Sequence, residues 1–344
     1  MELDAAARTL VNYVMGVRKG DDVLIYGDTR NDEAVLKATA AAAYSAGATP
    51  TIVVTETRQR SFAEPPKPLA AALADADVAI EFSTKAILYT HAQTNALKRN
   101  RAYITLTDID RDAMVRLIGW VNYPKMVEFG EKIAELTTKA REIKVTSPSG
   151  TDFTAKIGGR RFECQGSTAD KRPHNVTTLG GQSGGTCLEE TQNGVLAFDG
   201  NIWPPDEIRS NIRTPIRLKI EKGIIKEISG GVEADILRVF LADFKDPNMY
   251  RICHLSYGYH PLARSTGSIP EAERTWGALN VGFGKQGPLL RPELGGKYGW
   301  DAKSHWDGVI LKASIWLDGE PLQKEGEFVH PELVQIVKEW GVER

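Results

Sequence analysis

The chain has 344 residues, 42% of them hydrophobic and 26% charged, with a formal net charge of −2 and a pI near 6.4. That is enough apolar material for two separate cores, and it offers nucleic acid or an anionic membrane no general attraction, so a small-molecule or peptide substrate is expected. Cys164, Cys187 and Cys253 are odd in number and widely spaced, with no CxxC, so neither a disulfide framework nor a thiolate zinc site is suggested; neither a leader nor a run of about 20 apolar residues is visible, so a cytoplasmic location is expected.

In chain order, Leu3, Ala6, Ala7, Leu10, Val11 and Val14 follow a helical period that Gly20 closes. A strand is expected over 22–27, an alanine-rich helix over 32–46 ending at Gly47, and a strand over 50–55. A helix over 67–76, a strand over 77–82, a helix over 84–99 and a strand over 102–106 come next. Strands alternating with helices of this length predict a doubly wound parallel α/β domain, Rossmann-like, over residues 1–142. The first strand runs into Gly27-Asp28-Thr29-Arg30-Asn31-Asp32, which is not G-x-G-x-x-G, and no P-loop appears elsewhere, so nucleotide binding is not expected.

After a helix over 128–141 the texture changes. Short β runs over 143–146, 152–157, 194–198, 216–220 and 224–228 are separated by turns, the last two by Glu221-Lys222-Gly223 as a hairpin, with one helix over 233–244. This predicts a mainly antiparallel β-rich domain over 143–344. The glycine-rich stretch 179–187 reads as a loop able either to approach a ligand or simply to connect.

His305-Trp306-Asp307 leads into an apolar, β-branched run that reaches Asp318-Gly319, a hairpin turn signal. In a strand, residues i and i+2 share a face with Cβ atoms roughly 6–7 Å apart, so an imidazole and a carboxylate here can converge on one ion. A surface His and Asp flanking a buried Trp306 is the other reading of the same letters. His254 lies in a strand-like apolar run. His260 shares its parity but lies about 20 Å further along a regular strand, too far to share an ion with it. His254 is therefore the better third ligand, or else a core imidazole bonded to backbone. Two imidazoles and a carboxylate suit Fe(II) with open positions or a catalytic zinc. His330, before Pro331, is assigned to helix capping.

The order of these features resembles the 2,5-dihydroxypyridine 5,6-dioxygenases, iron enzymes of nicotinate and nicotine breakdown that share ancestry with the thermophilic-type metallo-aminopeptidases. The resemblance is sharpest in 220–225, 230–238, Asp246-Pro247, Cys253-His254-Leu255-Ser256-Tyr257-Gly258, Leu294-Gly295-Gly296-Lys297 and His305-Trp306-Asp307. It implies that His254, His305 and Asp307 ligate one Fe(II), Zn or Mn being the alternative if the chain is instead a hydrolase, and that the enzyme is a homo-oligomer. A two-metal site of the aminopeptidase kind lacks ligands, because Gln182, His254 and the segment 276–282 stand where its further ligands would align. The histidine that the dioxygenases carry on a first-domain helix falls at Tyr89, with His91 two positions on.

The reading that results is a mononuclear Fe(II) extradiol-type dioxygenase acting with O₂ on a hydroxylated N-heteroaromatic ring. Tyr89, His91, Glu163 and His174 are its candidate proton acceptors. A divergent aminopeptidase or amidohydrolase using one metal-activated water is the runner-up.

Overall fold

A computed structural model describes residues 1–171, 176–208, 212–265, 267–286 and 300–342. His174 and the Leu294-Gly295-Gly296-Lys297 motif lie outside the described residues. The first part alternates helix and strand: α1 (Glu2–Arg8), β1 (Asp22–Asp28), α2 (Glu33–Ser45), β2 (Thr49–Thr55), α3 (Lys67–Asp75), β3 (Val78–Glu81), α4 (His91–Ala96), β4 (Ala102–Thr105) and α5 (Arg111–Met114). The boundaries follow local chemistry. The Asp32 carboxylate caps α2 by accepting from the Ala34 N–H at 3.0 Å, and Gly47 (φ 82°) ends it in a conformation that costs glycine little. Every position of β3 and β4 is buried, which is the pattern of strands covered on both faces.

Next come α6 (Tyr123–Lys139), β5 (Glu142–Thr146), β6 (Asp152–Lys156), β7 (Phe162–Cys164), β8 (Val176–Thr178), β9 (Gln182–Gly185), β10 (Asn193–Phe198), β11 (Ile202–Trp203), β12 (Ile216–Glu221) and β13 (Ile224–Ser229). The chain closes with α7 (Val232–Asp243), β14 (Ile252–Gly258), α8 (Ile269–Ala272), β15 (Leu279–Gly284), β16 (His305–Ile310), β17 (Ser314–Leu317), β18 (Glu320–Lys324), β19 (Glu327–Phe328) and α9 (Pro331–Trp340). These strands form a parallel sheet in the order β2-β1-β3-β4-β8 and two antiparallel sheets, β13-β12-β10-β6-β5-β17-β18-β19 and β11-β16-β15-β14-β9-β7. The expected combination of a parallel α/β sheet with antiparallel β structure is therefore present.

The chain divides into two compact units, Met1–Tyr123 with Gln165–Gly180, and Pro124–Cys164 with Gly181–Arg344. This differs from a single cut between 142 and 143. Residues 165–180 return to the first unit because β8 pairs in parallel with β4, a hydrogen-bonding choice that no local pattern announces. No helix among the described residues is long and apolar enough to cross a membrane.

Three further departures have clear causes. The helix expected over 84–99 is reduced to α4, because the Glu81 carboxylate accepts from the Ile87 N–H and the Ser83 hydroxyl and holds the preceding residues as a loop. Tyr89 therefore precedes the helix, at φ 66°, and Thr90 caps α4 through the Gln93 N–H. The glycine-rich stretch contains a buried strand, β9, since a Cβ on Gly184 would lie 2.3 Å from Ser256 Oγ in the adjoining strand. The run from His305 to Leu317 is two strands in two sheets, separated at Lys312 (φ 47°). The expected hairpins are present, with both central residues in the left-handed region at Lys222-Gly223 and at Asp318-Gly319. His330 occupies the N-cap position of α9 without a side-chain capping bond, and Pro331 stands at the first helical position.

Candidate metal centre

The second unit's smaller antiparallel sheet sorts its side chains by the two-residue period. His254 lies opposite Gly282, which lies opposite Asp307, and Gly284 lies opposite His305. Residues directly opposed across a sheet share a face, so both histidines and the aspartate emerge on one side, together with Ser256 and Asn280. The other side carries Leu255, Val281, Phe283 and Trp306, all fully buried, with the Phe283 and Trp306 rings stacked at 4.1 Å. An apolar face anchors the sheet and leaves the polar face free for chemistry.

On that face the Asp307 carboxylate is the hub. Its Oδ1 lies 3.3 Å from His254 Nε2 and accepts from Asn280 Nδ2 at 2.9 Å, while its Oδ2 lies 2.8 Å from His305 Nε2. The two imidazoles stack with centroids 5.3 Å apart and planes inclined by 22°. His305 Nδ1 donates to the Lys285 carbonyl at 2.8 Å, and Ser256 Oγ lies 3.4 Å from His254 Nδ1. Both rings thus turn Nε2 toward the same carboxylate. Gly282 makes this possible, because a Cβ there would lie 2.2 Å from His254 Nε2. Burial alone would raise the Asp307 carboxyl, but the charge on His305 and the hydrogen bonds from His254 and His305 hold it well below the usual carboxylate range.

Two groups escaped the sequence reading. Alternation predicts that Cys253, next to His254, faces away from it. The pairing of β14 with β15 shifts register between Ile252 and His254, however, so Cys253 is the extra residue of a β-bulge. Its thiol lies 3.6 Å from His305 Nδ1, and Cys253, His254 and His305 form a buried group whose ligand atoms lie within 4.8 Å of one another. Burial pushes that thiol up. Glu273, just beyond α8, accepts from Arg274 Nη1 at 3.0 Å and Gln182 Nε2 at 3.3 Å. Burial, then the negative charge of Asp307, pushes it up to about 7. No signal in the sequence marks Glu273, whereas the Cys253-His254 pair was visible and needed only the bulge.

Glu163 lies on the same sheet face, opposite Gly184, which lies opposite Ser256, and it pairs with Arg161 at 3.1 Å. Two strand spacings, about 10 Å, separate it from Ser256. Tyr89 and His91 belong to the first unit. The Tyr89 N–H is held by Gln93 and its ring packs on Phe62, while the His91 N–H is held by Glu64. His260 is fully buried and accepts from the Leu262 N–H through Nδ1.

The residues present fit a metal ion. Two neutral-capable imidazole nitrogens and a carboxylate converge from one face, and a carbonyl fixes the tautomer of one ring, as supporting groups around metal sites do. A profile described as 2,5-dihydroxypyridine 5,6-dioxygenase matches residues 9–330. A 2,5-dihydroxypyridine 5,6-dioxygenase of Pseudomonas putida is 27% identical over 271 residues, covering 76% of this chain and 73% of the relative. The solved structure of 2,5-dihydroxypyridine dioxygenase from Pseudomonas putida KT2440 matches with a TM-score of 0.76 at 23% identity, over 96% of this chain and 98% of its own. AmpT from Thermus thermophilus matches with a TM-score of 0.69 at 18% identity, over 96% of this chain and 99% of its own. These two structural matches establish likeness of fold.

Proposed function

This chain belongs to the 2,5-dihydroxypyridine 5,6-dioxygenase family, and on that premise we propose that it is a mononuclear non-heme Fe(II) dioxygenase of the extradiol type. It would open a hydroxylated N-heteroaromatic ring of the 2,5-dihydroxypyridine kind. The observation that carries the reading is the convergence of His254 Nε2 and His305 Nε2 on the Asp307 carboxylate, at 3.3 and 2.8 Å. His254, His305 and Asp307 would hold the metal, and an Fe(II) bound there would supply the Lewis-acid and redox chemistry that activates substrate and O₂.

The chain's own groups have definable tasks. The Lys285 carbonyl keeps a proton on His305 Nδ1, which leaves the Nε2 lone pair available as the one that would ligate the metal. Asn280 restrains Asp307 Oδ1, and Gly282 clears the space beside the His254 ring. A ring hydroxyl must lose its proton on binding. Tyr89, His91, Glu163 and His174 remain the acceptors proposed from sequence, and Glu273 joins them because a carboxyl near 7 exchanges protons readily at neutral pH.

Protein purified without oxygen and reconstituted with Fe(II) is expected to consume O₂ in step with the loss of 2,5-dihydroxypyridine absorbance. Full Fe(II) occupancy without O₂ uptake across hydroxypyridines and aminophenols would overturn the reading. So would release of amino acids from peptide amides by the Zn- or Mn-loaded protein in the absence of O₂.

A further inference from the structure

We infer that Asn280 reads the ring nitrogen of the substrate: its side-chain Oδ1 accepts a hydrogen bond from the N–H of a ring bound in its lactam form, the 5-hydroxy-2-pyridone tautomer of 2,5-dihydroxypyridine. The inference rests on the ring-opening reading above and names the tautomer that the site selects. Asn280 is 1% exposed and lies on the polar face of the smaller antiparallel sheet, directly opposite Ser256. Two positions along β15 is Gly282, the residue between His254 and Asp307. The Asn280 amide is only half used. Its Nδ2 donates to Asp307 Oδ1 at 2.9 Å, while its Oδ1 is buried and has no hydrogen-bond partner among the described residues.

The orientation of that amide is fixed by chemistry, because turning it over would set Oδ1 against a carboxylate oxygen of Asp307. The side-chain donors on the same face are committed elsewhere. Both imidazole Nε2 atoms turn to Asp307, Ser256 Oγ lies beside His254 Nδ1, and Gln182 Nε2 donates to Glu273. Folded proteins leave few buried carbonyl oxygens without a donor, since each one forfeits its hydration for nothing in return. Here the unmatched oxygen stands beside the candidate ligands, where a donor can arrive with the substrate.

The chemistry of the ring selects which donor that is. An amide oxygen only accepts, so the substrate must bring an N–H or an O–H. The hydroxyl that binds the metal gives up its proton and has none to offer Asn280. The oxygen beside the ring nitrogen is a carbonyl in the lactam form, the tautomer that 2-hydroxypyridines favour in water, and it too only accepts. The ring N–H is the donor that is left. A carbocyclic ring of the same shape sets a C–H against Oδ1 and leaves it unpaired, so the site discriminates through a penalty on the wrong ring. One amide thus holds Asp307 with its nitrogen and orients the ring with its oxygen.

Anaerobic titration of the Fe(II)-reconstituted protein with 2,5-dihydroxypyridine, with 5-hydroxy-1-methyl-2-pyridone and with hydroquinone measures binding apart from turnover. The wild type is expected to bind 2,5-dihydroxypyridine about 10- to 100-fold more tightly than hydroquinone, and the N-methylated ring no better than hydroquinone. Asn280→Leu, brought to the wild-type iron content with excess Fe(II) and checked by metal analysis, is expected to lose about tenfold of that preference, because only the ring with an N–H loses a partner. A wild type that binds hydroquinone or the N-methylated ring as tightly as 2,5-dihydroxypyridine would overturn the inference. So would an Asn280→Leu variant that weakens both rings by the same factor, the result expected if Asn280 served Asp307 alone. Binding of none of the three rings by the iron-loaded wild type would overturn the ring-opening reading itself, and this inference with it.

Discussion

Each unit buries a carboxylate, and the two are held by different kinds of donor. In the first unit Glu81 is fully buried and accepts from Ser83 Oγ at 2.6 Å, the Ile87 N–H at 2.9 Å and Tyr103 Oη at 3.0 Å, with Tyr26 Oη a further 2.8 Å behind Tyr103. In the second unit Asp307 is met by two imidazole nitrogens and one amide. Hydroxyl and backbone N–H donors keep their protons at neutral pH and leave the Glu81 network without a ligand set for a metal, and burial followed by the charge of Glu81 pushes both tyrosine hydroxyls up. Imidazoles can exchange a proton for a metal ion. Burial thus yields a staple in one place and a candidate reactive centre in the other, and the difference lies in the donors.

The comparison breaks most severely if the imidazoles are removed. His254→Ala, His305→Ala or Asp307→Asn is expected to abolish metal retention and to lower ring-opening activity by about a thousandfold or more, measured by metal analysis and oxygen uptake, while the fold persists. Glu81→Gln is expected to act in the opposite sense. It should cost about 2–4 kcal/mol in denaturant unfolding, because a closed buried network loses its charge-assisted bonds, yet leave metal content per folded molecule unchanged. Loss of metal in Glu81→Gln would erase the distinction between staple and site.

Smaller effects sharpen it. Asn280→Leu removes the amide that restrains Asp307 Oδ1 and is expected to weaken metal binding about 10- to 100-fold, read by competition with a chelator. Glu273 supplies a pH signature. Its folded pKa, about 7, is raised above the ordinary glutamate value, so the protonated form is favoured by folding. In the metal-free protein its contribution to stability should be fully present below about pH 4.5 and be lost as pH rises through about 7. Thermal unfolding of Glu273→Gln should therefore lack the decline that the wild type shows across that window, and parallel curves for the two proteins would refute the assignment.

Much of this arrangement was legible in the sequence because it is local. Strand and helix alternation, the Lys222-Gly223 and Asp318-Gly319 turns, and the shared parity of His305 and Asp307 depend on residues a few positions apart. Glu81 shows where local reasoning failed. The residues after it carry a helical pattern, yet a buried carboxylate that needed donors recruited the Ile87 N–H and Ser83 and shortened the helix.

What the sequence by itself determined was the set of side chains that a strand must present on one face, since the period of two is a property of the extended backbone. Only the tertiary structure decided which strands lie side by side. It placed His254 beside Asp307 across Gly282, turned Cys253 toward His305 through a bulge, brought Glu273 under the influence of Asp307, and returned β8 to the parallel sheet. Those outcomes depend on hydrogen-bond register and burial between segments far apart in the chain, which no local pattern encodes.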